Sequence, residues 1–107
     1  MSPLPIDRFR LDGSLAVVTG ASSGIGRHCS MMLAGMGASI VLGARRIDQL
    51  QHTVAEIMQA GGKAHAFPLD VTNANSVKAF FDSVTAVGNP TILINNAGTS
   101  ISKPLLE

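Results

Sequence analysis

Leu15-Ala16-Val17-Val18 runs straight into Thr19-Gly20-Ala21-Ser22-Ser23-Gly24-Ile25-Gly26, and the reading of this junction decides the fold. A short apolar run, then glycines, then a helical repeat is the strand, turn and helix that a nucleotide pyrophosphate needs. Glycines let backbone approach a ligand closely, and the following helix offers unpaired N–H groups and the positive end of its dipole. Gly20, Gly24 and Gly26 take those roles, with Ile25 between the last two and the hydroxyls of Ser22 and Ser23 available to a phosphate. A glycine-rich turn taken alone is often only a tight connection. The strand before it and the helix after it are what give this one a ligand.

The same alternation repeats along the chain. Ile25, Cys29, Met32, Leu33 and Met36 recur at three- and four-residue spacing, which predicts a helix with that face on a sheet. Ile40 to Leu42 reads as a second strand. Ile47, Leu50, Val54 and Ile57 then form a second helical stripe that Gly61-Gly62 ends. Ala64 to Leu69 reads as a third strand, Thr72 as the N-cap of a helix carrying Val77, Phe80, Phe81 and Val84, and Thr91 to Ile94 as a fourth, near-continuously apolar strand. Gly37, Gly62 and Gly88 stand just beyond the three helices, where a left-handed C-cap residue is expected. Strands alternating with helices make an α/β fold with a parallel sheet, and right-handed crossovers give the expected order 3-2-1-4 with the fourth strand at an edge.

Composition narrows the functional classes. The chain has 107 residues, which allows one domain or part of one, and 46% hydrophobic with 14% charged residues describes a globular interior. A formal net charge of +1 without a basic run leaves no footprint for nucleic acid or an anionic membrane. No apolar run approaches the ~20 residues of a bilayer span, and Met1 to Arg10 lacks the apolar stretch of a signal peptide, so a cytoplasmic protein is expected. The single cysteine, Cys29, cannot form an internal disulfide, which fits a reducing compartment. His28, His52 and His65 have no ligand spacing for a metal, and Met31, Met32, Met36 and Met58 read as packing.

The first turn has the form T-G-x-x-x-G-x-G. Ala44-Arg45-Arg46 follows the second strand, Leu69-Asp70-Val71 the third and Asn95-Asn96-Ala97-Gly98 the fourth. Each motif is weak alone, but four in register at the carboxyl ends of strands form a specific signal. Together they resemble the classical short-chain dehydrogenase/reductase family over nearly the whole chain. The resemblance implies a Rossmann-type NAD(P)-binding domain over residues 1–107, with residues 1–12 as an N-terminal extension. It further implies that Asp70 accepts from the adenine amino group, that Val71 packs against the ring, and that Asn96, Ala97 and Gly98 line the nicotinamide ribose while the asparagines steady the sheet.

Charge at the end of the second strand bears on the choice of cofactor. An acidic residue there would accept hydrogen bonds from a free 2′-hydroxyl, but this chain has Ala44. With no carboxylate to repel a phosphate, and with Arg45 able to bind one through charge-assisted bonds and Arg46 to assist, NADP(H) is preferred over NAD(H). Ser23 departs from some NADP-preferring relatives, which carry a basic residue at that position.

The family's hydride chemistry uses a tyrosine whose pKa is lowered by a lysine, with a serine and a helix-borne asparagine. This chain has no tyrosine, and Ser100 and Ser102 follow the Asn-Asn-Ala-Gly motif too closely to be the family serine. No catalytic residue carries over. The expected reading is the NADP(H)-binding portion of a short-chain oxidoreductase that reduces a carbonyl or oxidises an alcohol. On this reading the sheet is truncated after the fourth strand, and the catalytic half, substrate pocket and oligomer contacts lie beyond Glu107. The alternative is an inactive stand-alone dinucleotide-binding or subunit-docking module, or a non-functional truncation product.

Overall fold

The computed structural model describes residues 11–21 and 24–95. Four strands alternate with three helices: β1 (Leu15–Thr19), α1 (Gly24–Gly35), β2 (Ser39–Ala44), α2 (Ile47–Gln59), β3 (Lys63–Pro68), α3 (Ala74–Val87) and β4 (Ile92–Asn95). The sheet is parallel throughout, in the order β3-β2-β1-β4. In register, Val17 lies between Val41 and Leu93, so β1 and β2 are the inner strands and β4 borders β1 alone among the described strands.

Successive residues of a strand face opposite sides, and the core divides accordingly. Ala16, Val18, Ile40 and Leu42 pack with Leu50 and Ile57 of α2, and Met31, Leu33 and Ala34 of α1 close over the same side. Leu15, Val17 and Val41 pack on the other side with Phe80 and Val84 of α3. Every residue of β1 is buried, whereas Ile92, Leu93 and Ile94 of β4 are only half-buried. Leu11, at the end of the expected N-terminal extension, donates its N–H to the Met36 carbonyl at 2.6 Å and so is tied to the domain.

Helix α1 departs from the expected orientation. Its buried residues are Gly26 and Ser30, while Ile25 and Met32 are 69% and 53% exposed. At about 100° per residue Ile25, Cys29 and Met32 of the expected stripe lie roughly a quarter-turn from the Gly26–Ser30–Leu33 line, while Leu33 packs against the core as expected and Met36 falls just past the end of α1. Small residues thus take the most buried positions of the helix. Ser30 meets its polar requirement locally, donating to the Gly26 carbonyl at 2.7 Å. Arg27, on the opposite flank, forms a forked pair with Glu56 of α2, with Nη2 to Oε2 at 2.6 Å and Nε to Oε1 at 3.0 Å. His52 adds a contact to the same carboxylate at 3.7 Å, and the Arg27 hydrogen bonds hold Glu56 below the usual carboxylate range.

Three caps also differ. Asn73, not Thr72, caps α3, its side-chain oxygen accepting from the Ser76 N–H at 3.1 Å. After α2 the left-handed residue is Gly61, with φ +93°, and the Gly62 N–H closes the end on the Ile57 carbonyl at 2.9 Å. Gly62 serves instead as a close approach, since a Cβ there would stand 2.8 Å from Ile57 Cγ2. Gly37 is left-handed as expected, whereas Gly88 has φ 170°, extended backbone that any residue adopts.

Candidate functional site

The carboxyl ends of β1, β2 and β3 converge on a cleft of about 330 Å³ lined by Gly20, Ala44, Arg45, Arg46, Asp70 and Val71, with Gly43, Gln49, Leu69 and Thr72 completing its walls. Five of the expected site residues, Gly20, Arg45, Arg46, Asp70 and Val71, are thus brought together. A volume near 300 Å³ is at the small end of ligand pockets, the size for one moiety of a larger molecule. Gly24, Ile25 and Gly26 lie on the first turn of α1, outside the cleft lining. Ser22, Ser23, Asn96, Ala97 and Gly98 lie outside the described residues.

The turn after β1 is suited to an anion. Gly20 has φ +65°, and Ala21 donates its N–H to the Gly43 carbonyl at 3.4 Å, tying the turn to the end of β2. Helix α1 begins at Gly24 with no acidic residue in its first turn, so no carboxylate opposes the positive end of its dipole. A Cβ on Gly24 would meet nothing within 4 Å. The fold itself therefore does not require glycine there, and the open space suits a ligand's close approach.

At the cleft's outer wall, Ala44 ends β2 and Arg46 is the N-cap of α2, with no side-chain cap hydrogen bond. The first N–H groups of α2 are left without a capping oxygen beside two arginines, although Asp48 sits in that first turn. Arg45 is 74% exposed and its Nε lies 4.0 Å from Asp70 Oδ1, a loose surface pairing that leaves the guanidinium able to turn toward a ligand.

Asp70 is held more tightly. Its Oδ1 accepts from the Thr72 hydroxyl at 2.6 Å and from the Thr72 N–H at 3.0 Å. Those two bonds, with Arg45 contributing less, keep the carboxyl below its ordinary range. The Asp70 N–H donates to Ser76 Oγ at 2.9 Å, coupling the end of β3 to the first turn of α3.

Sequence reasoning missed Gly43. A Cβ there would fall 2.6 and 2.7 Å from Phe80 Cε1 and Cζ and 3.1 Å from Leu69 Cδ2, so the cleft floor depends on a bare backbone against the Phe80 ring. A glycine amid the apolar run Ile40 to Leu42 and Ala44 was the available signal, marking close approach in a strand. Thr19 is a second residue that the motifs alone do not single out. It is fully buried and donates to Asn95 Oδ1 at 3.0 Å, linking the carboxyl ends of β1 and β4.

Residues 14–107 match the family model for short chain dehydrogenase. The chain belongs to that family. It is 40% identical over 99 residues to the 7alpha-hydroxysteroid dehydrogenase of Escherichia coli K12, a match that takes in 92% of this chain and 39% of that protein. The family chain thus spans about two fifths of that curated relative's length. Among solved structures, a metagenomic short-chain oxidoreductase in complex with NADP superposes with a TM-score of 0.80 at 39% identity, covering 90% of this chain and 44% of that one. A 7alpha-hydroxysteroid dehydrogenase complexed with NADH and 7-oxo glycochenodeoxycholic acid gives a TM-score of 0.83 at 38% identity, covering 96% and 41%. Relatives hold either dinucleotide, so a preference has to be argued from this chain's own residues. Among the described residues no helix is long and apolar enough to cross a membrane, and no group of three or more His, Cys, Asp or Glu gathers to hold a metal.

Proposed function

We propose that this chain is the coenzyme-binding portion of an oxidoreductase and prefers NADP(H), interconverting a carbonyl and an alcohol by hydride transfer within the complete protein. The adenosine takes the cleft between Arg45 and Asp70, with Val71 against the ring. The pyrophosphate takes the turn Gly20 to Gly26, including Ser22 and Ser23, and Asn96, Ala97 and Gly98 approach the nicotinamide ribose. When bound, the dinucleotide supplies or accepts the hydride; the residues of this chain bind and orient it. The single cysteine supports a cytoplasmic setting for the proposal.

The observation that carries the reading is the outer wall of the cleft. Ala44 stands where a carboxylate would repel a phosphate, Arg45 is exposed and loosely paired, and the N-terminus of α2 is uncapped. The first two favour a ribose 2′-phosphate, and the uncapped end of α2 adds its N–H groups against the opposing Asp48 carboxylate. The test is titration of the full chain with NADPH and NADH, read by reduced-nicotinamide fluorescence; the chain has no Trp or Tyr to add emission of its own. NADPH should bind more tightly, and Arg45→Ala should weaken NADPH about tenfold to hundredfold with little effect on NADH. Equal or tighter binding of NADH by the unmodified chain refutes the preference. Consumption of NADPH by the complete protein with a panel of carbonyl compounds tests the hydride-transfer reading, and binding without consumption there favours a binding-only module.

A further inference from the structure

Asp70 lies just past the end of β3, so contacts outside the sheet ladder have to fix its carboxylate. Thr72 supplies them twice over, through its hydroxyl at 2.6 Å and its N–H at 3.0 Å, both to Oδ1. The base of the turn is fixed as well. The Asp70 N–H is bonded to Ser76 Oγ, and the Ser76 N–H is bonded to the Asn73 cap, so the carboxylate is referenced to the first turn of α3. Both Asp70 and Thr72 line the cleft.

We propose that Thr72 is a positioning residue that fixes the Asp70 carboxylate as an acceptor and makes the cleft select a 6-aminopurine over a 6-oxopurine. This rests on the dinucleotide reading above and extends it from Asp70 to the residue that holds it. An ionised carboxylate accepts and cannot donate. Facing the amino group of adenine, it gains a charge-assisted bond; facing the carbonyl of hypoxanthine, it sets two acceptors against each other. That discrimination requires the carboxylate to stay in one place, because a freely rotating one can turn its charge to solvent. The same Thr72 bonds also keep the carboxyl ionised.

The experiment compares Kd for NADPH and for its hypoxanthine analogue in the full chain, in Thr72→Val and in Thr72→Ser. The unmodified chain should favour NADPH about tenfold or more. Thr72→Val has nearly the same shape and keeps the backbone N–H but loses the hydroxyl. It should reduce the preference to about threefold or less, and Thr72→Ser should restore it. A Thr72→Val chain that melts earlier yet keeps the full base preference overturns the role, because it shows a purely structural turn. Failure of the unmodified chain to bind NADPH overturns the reading of the cleft itself and this inference with it, whereas tight binding with an unaltered base preference in Thr72→Val overturns only the role of Thr72.

Discussion

Gly43→Ala is a substitution of one methyl group whose effect follows from three distances. The added Cβ would stand 2.6 Å from Phe80 Cε1, 2.7 Å from Cζ and 3.1 Å from Leu69 Cδ2. The first two are shorter than any carbon contact a protein sustains, so the Phe80 ring must move. It is 1% exposed and packs edge-on against both Phe67 and Phe81, which leaves it little room. Overpacking of this kind costs about 1–3 kcal/mol, while relieving a strand of its glycine returns about 0.5–1 kcal/mol. The two ranges leave a loss of up to about 2.5 kcal/mol, centred on about 1 kcal/mol, which lowers the midpoint by about 4–8 °C per kcal/mol in a domain of this size. Circular dichroism melting of the full chain measures it. Phe80→Leu, which removes the atoms in collision, should make the second substitution cheaper, so the double variant should be less destabilised than the sum of the two single ones. A Gly43→Ala chain as stable as the parent, or additive losses in the double variant, would show that this glycine is not held by the ring.

Two further substitutions separate folding from binding. Gly24→Ala should fold as well as the parent or better, since a Cβ there meets nothing within 4 Å, yet it should weaken NADPH severalfold by occupying the approach of a phosphate to α1; unchanged affinity in a fluorescence titration would remove Gly24 from the site. Asn73→Ala should lower stability by about 0.5–2 kcal/mol through loss of the α3 cap, with Asn73→Asp retaining it; chemical denaturation that shows no difference between the alanine variant and the parent would reject the cap.

What was legible in the sequence follows from the kind of signal each element sends. The inner strands announce themselves because a strand covered on both faces is a nearly continuous apolar run, as Leu15 to Val18 and Ile40 to Leu42 are. The cleft motifs were readable because each follows a strand, so Gly20, Arg45 and Asp70 could be placed at one end of the sheet before any contact was known. Helix α1 was misread for the complementary reason. A search for apolar periodicity follows the large residues Ile25 and Met32, whereas the buried positions of the helix are Gly26 and Ser30, with Leu33 of the expected stripe packed beside the core. Small buried residues send no apolar periodic signal. The same holds for Gly43, where a glycine has meaning only against a phenylalanine far away in sequence.

Thr72 shows how one local ambiguity divides between structure and function. Thr72 and Asn73 are adjacent, and both residue types cap helices. The helix can use only one, and it takes Asn73 because that residue's oxygen reaches the Ser76 N–H three positions on. Thr72 is thereby released from α3, and both its hydroxyl and its N–H turn back to Asp70. The two assignments are coupled, since Ser76 donates its N–H to the cap and accepts from the Asp70 N–H through its hydroxyl. The start of α3 and the placement of the cleft carboxylate are consequently one hydrogen-bonded unit, anchored below by Phe80 and Val84 in the core. A sequence reading that assigns the cap to Thr72 therefore misplaces more than a helix boundary, because it hides the residue that holds Asp70.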